Sequence, residues 1–197
     1  MAKQWGMKVG SCALFLAALL QCRFLGFAIL DLIDFLALQS IRKSLHDLPC
    51  SNFFASWDLT SDPCNFTGVY CESDRVVAPN LGYLRAGSPG LIGRIDSTIG
   101  KLFALVELSI VPGRIYGSLS VSISQLNGLR FLVISRNFIS WNILLQLRRL
   151  KTIDLSYNQL AGGIPHSIGT LLELTNVILC HIHLSGSVPP FRSQVLT

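Results

Sequence analysis

The sequence predicts a right-handed α/β solenoid with short parallel strands on its concave face and a helical, disulfide-bonded cap at the N-terminal end. Three observations predict it. One apolar pattern occurs four times at nearly constant spacing, a glycine-containing pattern follows most of its copies, and a helical segment with two closely spaced cysteines precedes them. The composition, 50% hydrophobic and 14% charged, is that of a folded chain with a core.

Four segments share the form L-x-x-L-x-x-L-x-L, with some leucines replaced by isoleucine or valine, and their starts lie 24, 21 and 24 residues apart. One such unit cannot bury its apolar ridge alone, so neighbouring units must stack to form a core. In two units an asparagine follows, where a buried amide could satisfy backbone groups at the turn; Gly113 and Ile182 occupy that position elsewhere. The strands are predicted near Leu105–Val111, Leu129–Ser135, Leu150–Ser156 and Leu174–Cys180, and the asparagines are Asn137 and Asn158.

The segment before the repeats combines a helix with a turn-rich loop. From Asp34 onward apolar residues recur at helical spacing, and Pro49 is predicted to end this helix. Cys64 and Cys71 then stand seven residues apart among turn-forming residues. In an oxidising compartment this spacing favours a local disulfide bond, with Trp57 packed beneath the loop. Zinc is disfavoured because no second ligand pair accompanies them.

The second half of the repeat identifies a subclass. Its form, L-x-G-x-I-P-x-x-I-G, occurs in full or in part at Leu91–Gly100, Ile115–Ser124, Leu160–Gly169 and Leu184–Pro189. This pattern resembles the plant-specific leucine-rich repeat, and the helix with its Trp and Cys segment resembles the plant N-terminal cap. The resemblance covers Asp34 to Pro190. It implies a cap at residues 31–72, four to five repeats at residues 73–190 and a truncated tail at residues 191–197.

The N-terminus has the layout of a secretory signal peptide. Two lysines precede an apolar run, so residues 1–28 are predicted to be removed, with the mature chain starting near Ile29. A membrane anchor from about Val9 to Leu30 is the alternative. Cleavage would leave a secreted protein of the apoplast or cell wall with no membrane span. Asn65-Phe66-Thr67 would then be a glycosylation acceptor.

Two departures from the repeat stand out. The third unit has Trp141 where glycine is expected and lacks three residues of its return segment. We expect its coil to tighten or shift there. The sequence also stops at Thr197 after the last unit without a recognisable polar cap, which leaves open a fragment or a truncated paralogue.

The chain carries no recognisable catalytic signature. The G-x-S-x-G, H-E-x-x-H, Walker and dinucleotide patterns are all missing, so we predict no enzyme activity and no cofactor. His181 and His183 alternate as a metal pair could, but no third ligand is near, and no metal is predicted. Arg148, Arg149 and Lys151 could contact an anionic polymer, although a solvated face is favoured. A net charge of +5, partly from the leader, names no partner, and nucleic acid is not expected.

The remaining candidate site is the face made by the strands. Side chains that flank the inward residues alternate to the concave side, and they mix polar with apolar character. Such a face suits a protein or peptide ligand, for instance a receptor kinase ectodomain, in a receptor-like or defence module. The alternative is an inhibitor of a pathogen polygalacturonase or another wall enzyme. The predicted binding residues are Glu107, Ser109, Val111, Phe131, Val133, Ser135, Thr152, Asp154, Ser156, Asn176 and Ile178, with Cys180 at the end of the last strand.

Overall fold

A computed structural model describes residues 30–58, 60–82, 90–119, 121–140 and 147–192. The predicted leader at residues 1–28, the shortened return segment at residues 141–146 and residues 193–197 of the tail lie outside the described residues. The rest forms a cap followed by stacked coils, each of which contributes strands to two separate sheets.

The cap opens with helix α1, Leu32–Ser44. Asp31 is its N-cap, and the Asp31 carboxylate accepts a hydrogen bond of 2.9 Å from the backbone N–H of Ile33. The prediction that Pro49 ends this helix was wrong, because the chain leaves the helix at Leu45. Strand β1, Leu45–Asp47, instead pairs antiparallel with Leu91–Gly93, the first strand of the second sheet described below. This pairing ends the helix although the helical spacing of apolar residues continues to Leu48.

The remainder of the cap is an aromatic cluster closed by a hairpin. Short 3-10 helices at Phe53–Ser56 and Pro63–Asn65 precede β2, Val69–Glu72, and β3, Arg75–Pro79, which pair antiparallel. The predicted Cys64–Cys71 disulfide is confirmed, and it joins the second 3-10 helix to β2. Trp57 is buried and stacks on Phe66 with ring centroids 5.1 Å apart, as expected beneath the loop.

One ion pair connects the two halves of the cap. The carboxylate of Asp34, on α1, is fully buried and accepts from Nε and Nη2 of Arg75, both at 2.9 Å. It also accepts from the backbone N–H of Val76 at 2.8 Å. The hydrogen bond to Asp34 raises the pKa of Arg75 above its ordinary value. The pair therefore fixes α1 against β3, which borders the first repeat.

The concave face is a parallel sheet, as predicted. Its strands are β5, Glu107–Ser109; β7, Phe131–Val133; β9, Thr152–Asp154; and β11, Asn176–Ile178. They lie in the order β5-β7-β9-β11, and each is the middle of its predicted segment, shorter at both ends. The register aligns ridge residues of successive units, Leu108 beside Leu132 and Leu132 beside Ile153.

A second sheet runs along the start of the return segments, and the sequence did not predict it. Strands β4, Leu91–Gly93; β6, Gly113–Ser118; and β8, Phe138–Ser140, pair parallel, with β1 antiparallel at the edge. Farther along, β10, Ala161–Gly162, pairs parallel with β12, His183–Leu184. Gly93 has a φ of +144°, and a Cβ there would overlap the carbonyl oxygen of Ser44. Only glycine therefore lets β1 approach so closely.

Short helical turns complete three of the coils. They lie at Ser97–Lys101, Val121–Gln125 and His166–Gly169, the last being α2. Between these turns and the concave sheet lies a continuous core. The ridge residues of the first three coils are almost completely buried, whereas Val177 and Leu179 in the last described coil are only half-buried. Stacking on both sides is thus what buries a ridge.

We predict that Asp34→Ala lowers the free energy of unfolding by about 2–3 kcal/mol, because Val76 loses a buried acceptor and Arg75 its partner. Arg75 is one-third exposed and can recover water, which keeps the cost below that of a fully buried pair. Urea denaturation measures the change. Glu72→Ala, which removes an exposed carboxylate of the same hairpin, should change stability by less than about 0.5 kcal/mol.

The disulfide should matter in the same assay. Replacing Cys64 and Cys71 by serine should destabilise the fold by roughly 2–5 kcal/mol, since the bridge restricts the unfolded chain. Cys50→Ser should cost far less, because Cys50 is an exposed free thiol. Peptide mapping of non-reduced protein provides the covalent check, and a Cys50–Cys64 or Cys50–Cys71 link would contradict the assignment.

Candidate binding face on the concave sheet

The eleven predicted binding residues all lie in the concave strands or the turns just after them, but they are not equally accessible. Phe131, Asn176 and Ile178 are exposed, with Phe131 at 37% and Ile178 at 43%. Five others are half-buried, namely Glu107, Val111, Val133, Thr152 and Asp154. The accessible part of the face is therefore concentrated on its longer side chains.

Three of the predicted contact residues are instead buried. Ser109, Ser135 and Ser156 retain only 5%, 7% and 5% exposure. Neighbouring strands lie about 4.8 Å apart, so a side chain as short as serine is shielded by its larger neighbours. Ser156 also donates its hydroxyl to the carboxylate of Asp154 at 2.6 Å, so one carboxylate oxygen already has a hydrogen-bond partner within the protein. The serines shape the face and offer little contact surface.

Sequence reasoning missed a stacked column beside these residues. The Arg136 guanidinium lies 4.7 Å from the centroid of the Tyr157 ring, and the rings of Tyr157 and His181 stack at 4.2 Å with an interplanar angle of 17°. All three side chains are exposed. Their φ angles of 56°, 55° and 54° turn each side chain the same way. A signal was present, because each residue directly precedes the asparagine position of its repeat.

The asparagine ladder, which the sequence predicted, fixes the turns that carry Arg136 and Tyr157 of this column. Asn137 accepts from the backbone N–H of Ile115 at 3.0 Å and donates to the carbonyls of Ile110 and Ser135. Asn158 repeats the arrangement with Ile139 N–H at 3.0 Å and three carbonyl acceptors. The buried amides thereby satisfy backbone N–H and C=O groups around the turns that carry Arg136 and Tyr157.

The exposed groups in this part of the molecule are cationic, aromatic and apolar. The coils that carry the exposed Phe131 and Ile178 also carry Arg136 and His181 of the stack, and Arg130 adds an exposed cation. Within the described ranges, no three His, Cys, Asp or Glu side chains are grouped to hold a metal ion. Cys180 is an exposed free thiol at the rim.

Two features away from the face bear on the compartment. Asn65 is exposed at the end of its 3-10 helix, where a glycan could be attached. Its use as a glycosylation acceptor stays a prediction. Of the helices in the described part of the chain, none has the length and apolar character needed to cross a bilayer.

Comparison with known proteins agrees with this architecture. Residues 33–72 match the leucine-rich-repeat N-terminal domain, and residues 149–171 match the leucine-rich repeat. These matches confirm the resemblance to the plant leucine-rich-repeat family with its N-terminal cap that the motifs predicted. It is 32% identical over 135 residues to phytosulfokine receptor 1 of Arabidopsis thaliana, a match that covers 66% of this chain and 11% of the receptor.

Solved receptor ectodomains share the fold. A chain in the BIR3–SERK2 complex of Arabidopsis thaliana aligns with a TM-score of 0.69 and 29% identity, covering 79% of this protein and 85% of that chain. The Arabidopsis HAESA ectodomain, solved with the peptide hormone IDA, aligns with a TM-score of 0.68 and 30% identity, covering 79% of this protein and 26% of that chain. The similar regions are leucine-rich-repeat ectodomains, which are ligand-binding modules rather than catalytic ones.

The ladder allows a stability test with an adjacent control. Asn158→Ala should lower the free energy of unfolding by about 2–4 kcal/mol, because the N–H of Ile139 would be buried without its acceptor. The neighbouring amide Gln159 is exposed, so Gln159→Ala should change stability by less than about 0.5 kcal/mol. Equal effects of the two changes in urea denaturation would refute the structural role given to Asn158.

Proposed function

We propose that this protein is an extracellular recognition module whose concave face binds a peptide or a partner ectodomain. The observation that carries the proposal is the exposed stack of Arg136, Tyr157 and His181, on the same coils as the exposed Phe131 and Ile178. Tyrosine and arginine are enriched among the residues that dominate binding energy, and rigid aromatic rings lose little entropy on contact. A pre-stacked column is already arranged for binding.

The size of the face limits the ligand. Four three-residue strands about 4.8 Å apart give a sheet of roughly 15 Å by 10 Å, or about 150 Å². This area is well short of the roughly 800 Å² that each partner buries in a standard interface. A short extended peptide fits this surface without further contacts. A partner ectodomain would have to contact the rim of the coils as well.

The relatives support this proposal. HAESA has been solved with a peptide hormone, and SERK2 has been solved in complex with BIR3. This chain spans only about a tenth of the curated receptors it matches, so their whole-protein activities are not transferred to it. Secretion to the apoplast or cell wall is part of the proposal, supported by the predicted leader and by the extracellular relatives.

Two tyrosines of similar exposure allow a controlled test of binding. Tyr157 and Tyr116 are 41% and 44% exposed, and each ring lies beneath an arginine, but Tyr116 belongs to the second sheet. We expect the purified secreted chain to bind at least one of the SERK2 ectodomain, the BIR3 ectodomain and IDA peptide. Tyr157→Ala should weaken that binding about tenfold or more, and Tyr116→Ala less than about twofold.

Calorimetry or biolayer interferometry measures both variants. Failure of all three probes to bind, or equal losses for Tyr157→Ala and Tyr116→Ala, would contradict the proposal as stated. Inhibition of a fungal polygalacturonase in place of such binding would support the alternative of a wall-enzyme inhibitor.

A further inference from the structure

The second sheet has an exposed face of its own. Tyr116 on β6 and Phe138 on β8 are paired in register, and each is 44% exposed. The guanidinium of Arg94, just after β4, lies 5.1 Å from the centroid of the Tyr116 ring, and Arg114 is exposed two residues before that tyrosine. Arginine and aromatic residues are the types that protein interfaces favour. These four side chains form the basic face.

The charge of the basic face is not neutralised. Strands β4, β6 and β8 contain no Asp or Glu. Asp47, on the neighbouring β1, accepts three hydrogen bonds inside the cap, and Asp96 accepts from Thr98 in the turn that it caps. Within the described ranges, neither Arg94 nor Arg114 takes part in an ion pair. The face therefore suits a partner that presents carboxylates together with an apolar group.

A surface of that chemistry lies on the cap of this same chain. The β2–β3 hairpin exposes Glu72 and Asp74 at its tip, and Tyr70 on β2 is 58% exposed. The backbone N–H of Asp31 donates to the carbonyl of Asp74 at 2.9 Å, which brings the exposed Leu32 of α1 close to this tip. In the part of the chain that the structure describes, the carboxylates of Glu72 and Asp74 have no ion pair or hydrogen bond. Tyr70, Glu72 and Asp74 form the acidic tip.

The charges of the whole chain are divided in the same way. Residues 31–81 carry seven Asp or Glu and three Lys or Arg, a net charge of −4. Residues 90–192 carry four Asp or Glu and nine Lys or Arg, a net charge of +5. The two parts together are nearly neutral, so two copies repel each other little, while the cap of one attracts the array of the other. Complementary charges of this kind steer association and fix its orientation.

We propose that the acidic tip of one copy docks on the basic face of a second copy of this chain. The carboxylates of the tip pair with the two arginines, and Tyr70 packs against the two aromatic rings of the face. Because these opposite charges are unpaired within one chain, no ion pair has to break before the contact forms. The contact is small and exposed, so it is weak and sensitive to salt. It lies apart from the concave sheet and stands whether or not that sheet binds a peptide.

Analytical ultracentrifugation of the full purified chain measures this association. In about 20 mM salt the average mass should rise between about 5 μM and 500 μM protein, whereas in about 500 mM salt the chain should stay monomeric. The variant Arg94→Glu/Arg114→Glu should weaken association about tenfold or more. Arg130→Glu/Arg192→Glu makes the same change in net charge at two other exposed arginines, and its effect should be less than about threefold.

A second variant tests the other half of the contact. Glu72→Lys/Asp74→Asn removes the charges of the tip, and asparagine suits the positive φ of 67° at Asp74. Alone, this variant should also associate about tenfold more weakly or less. An equimolar mixture with Arg94→Glu/Arg114→Glu should return to within about threefold of the unchanged protein, because the unchanged tip of one variant meets the unchanged face of the other. Only folded variants can restore association, so misfolding cannot imitate this result.

The outcomes separate this proposal from the one for the concave face. A monomer at every concentration in low salt, association that high salt does not weaken, equal effects of the face variant and its control, or a mixture without restored association would overturn it. Tyr116→Ala should weaken self-association about threefold or more, and Tyr157→Ala less than about twofold. Binding at the concave face depends on the same two tyrosines in the opposite order, so the two proposals fail separately.

Discussion

Burial of the leucine ridge by neighbouring coils is the interaction on which the rest of the structure depends. Leu108, Leu132 and Ile153 lie side by side and are fully buried because each coil covers the next. The equivalent Val177 of the last described coil is only half-buried. A ridge that is satisfied only by its neighbours needs a cover at the first coil as well.

The cap provides that cover by joining both sheets. Strand β1 pairs with β4 of the second sheet, and Leu81 just after β3 donates to Ser109 of the concave sheet at 2.7 Å. The buried Asp34 carboxylate keeps α1 and β3 together. The disulfide and the aromatic cluster then hold the intervening loop in one arrangement, so both sheets begin from a fixed template.

The regular part of the array repeats one exposed position. Where the repeat is regular, the asparagine ladder fixes a turn, and the residue before it is exposed in the same orientation coil after coil. Arg136, Tyr157 and His181 therefore stack although they are distant in sequence. The candidate binding face thus follows from the periodicity of the repeats.

The sequence by itself determined the periodic features. Leucine spacing predicted the coils and their parallel strands, the asparagines predicted the buried ladder, and the spacing of Cys64 and Cys71 predicted the bridge, because each is a local pattern. Tertiary structure decided what depends on contacts between coils. The helix ends at Ser44 because β1 pairs with β4, and the serines of the face are buried by neighbouring strands. The second sheet and the stacked column both join residues about one repeat or more apart, a proximity that only the packing of the coils creates.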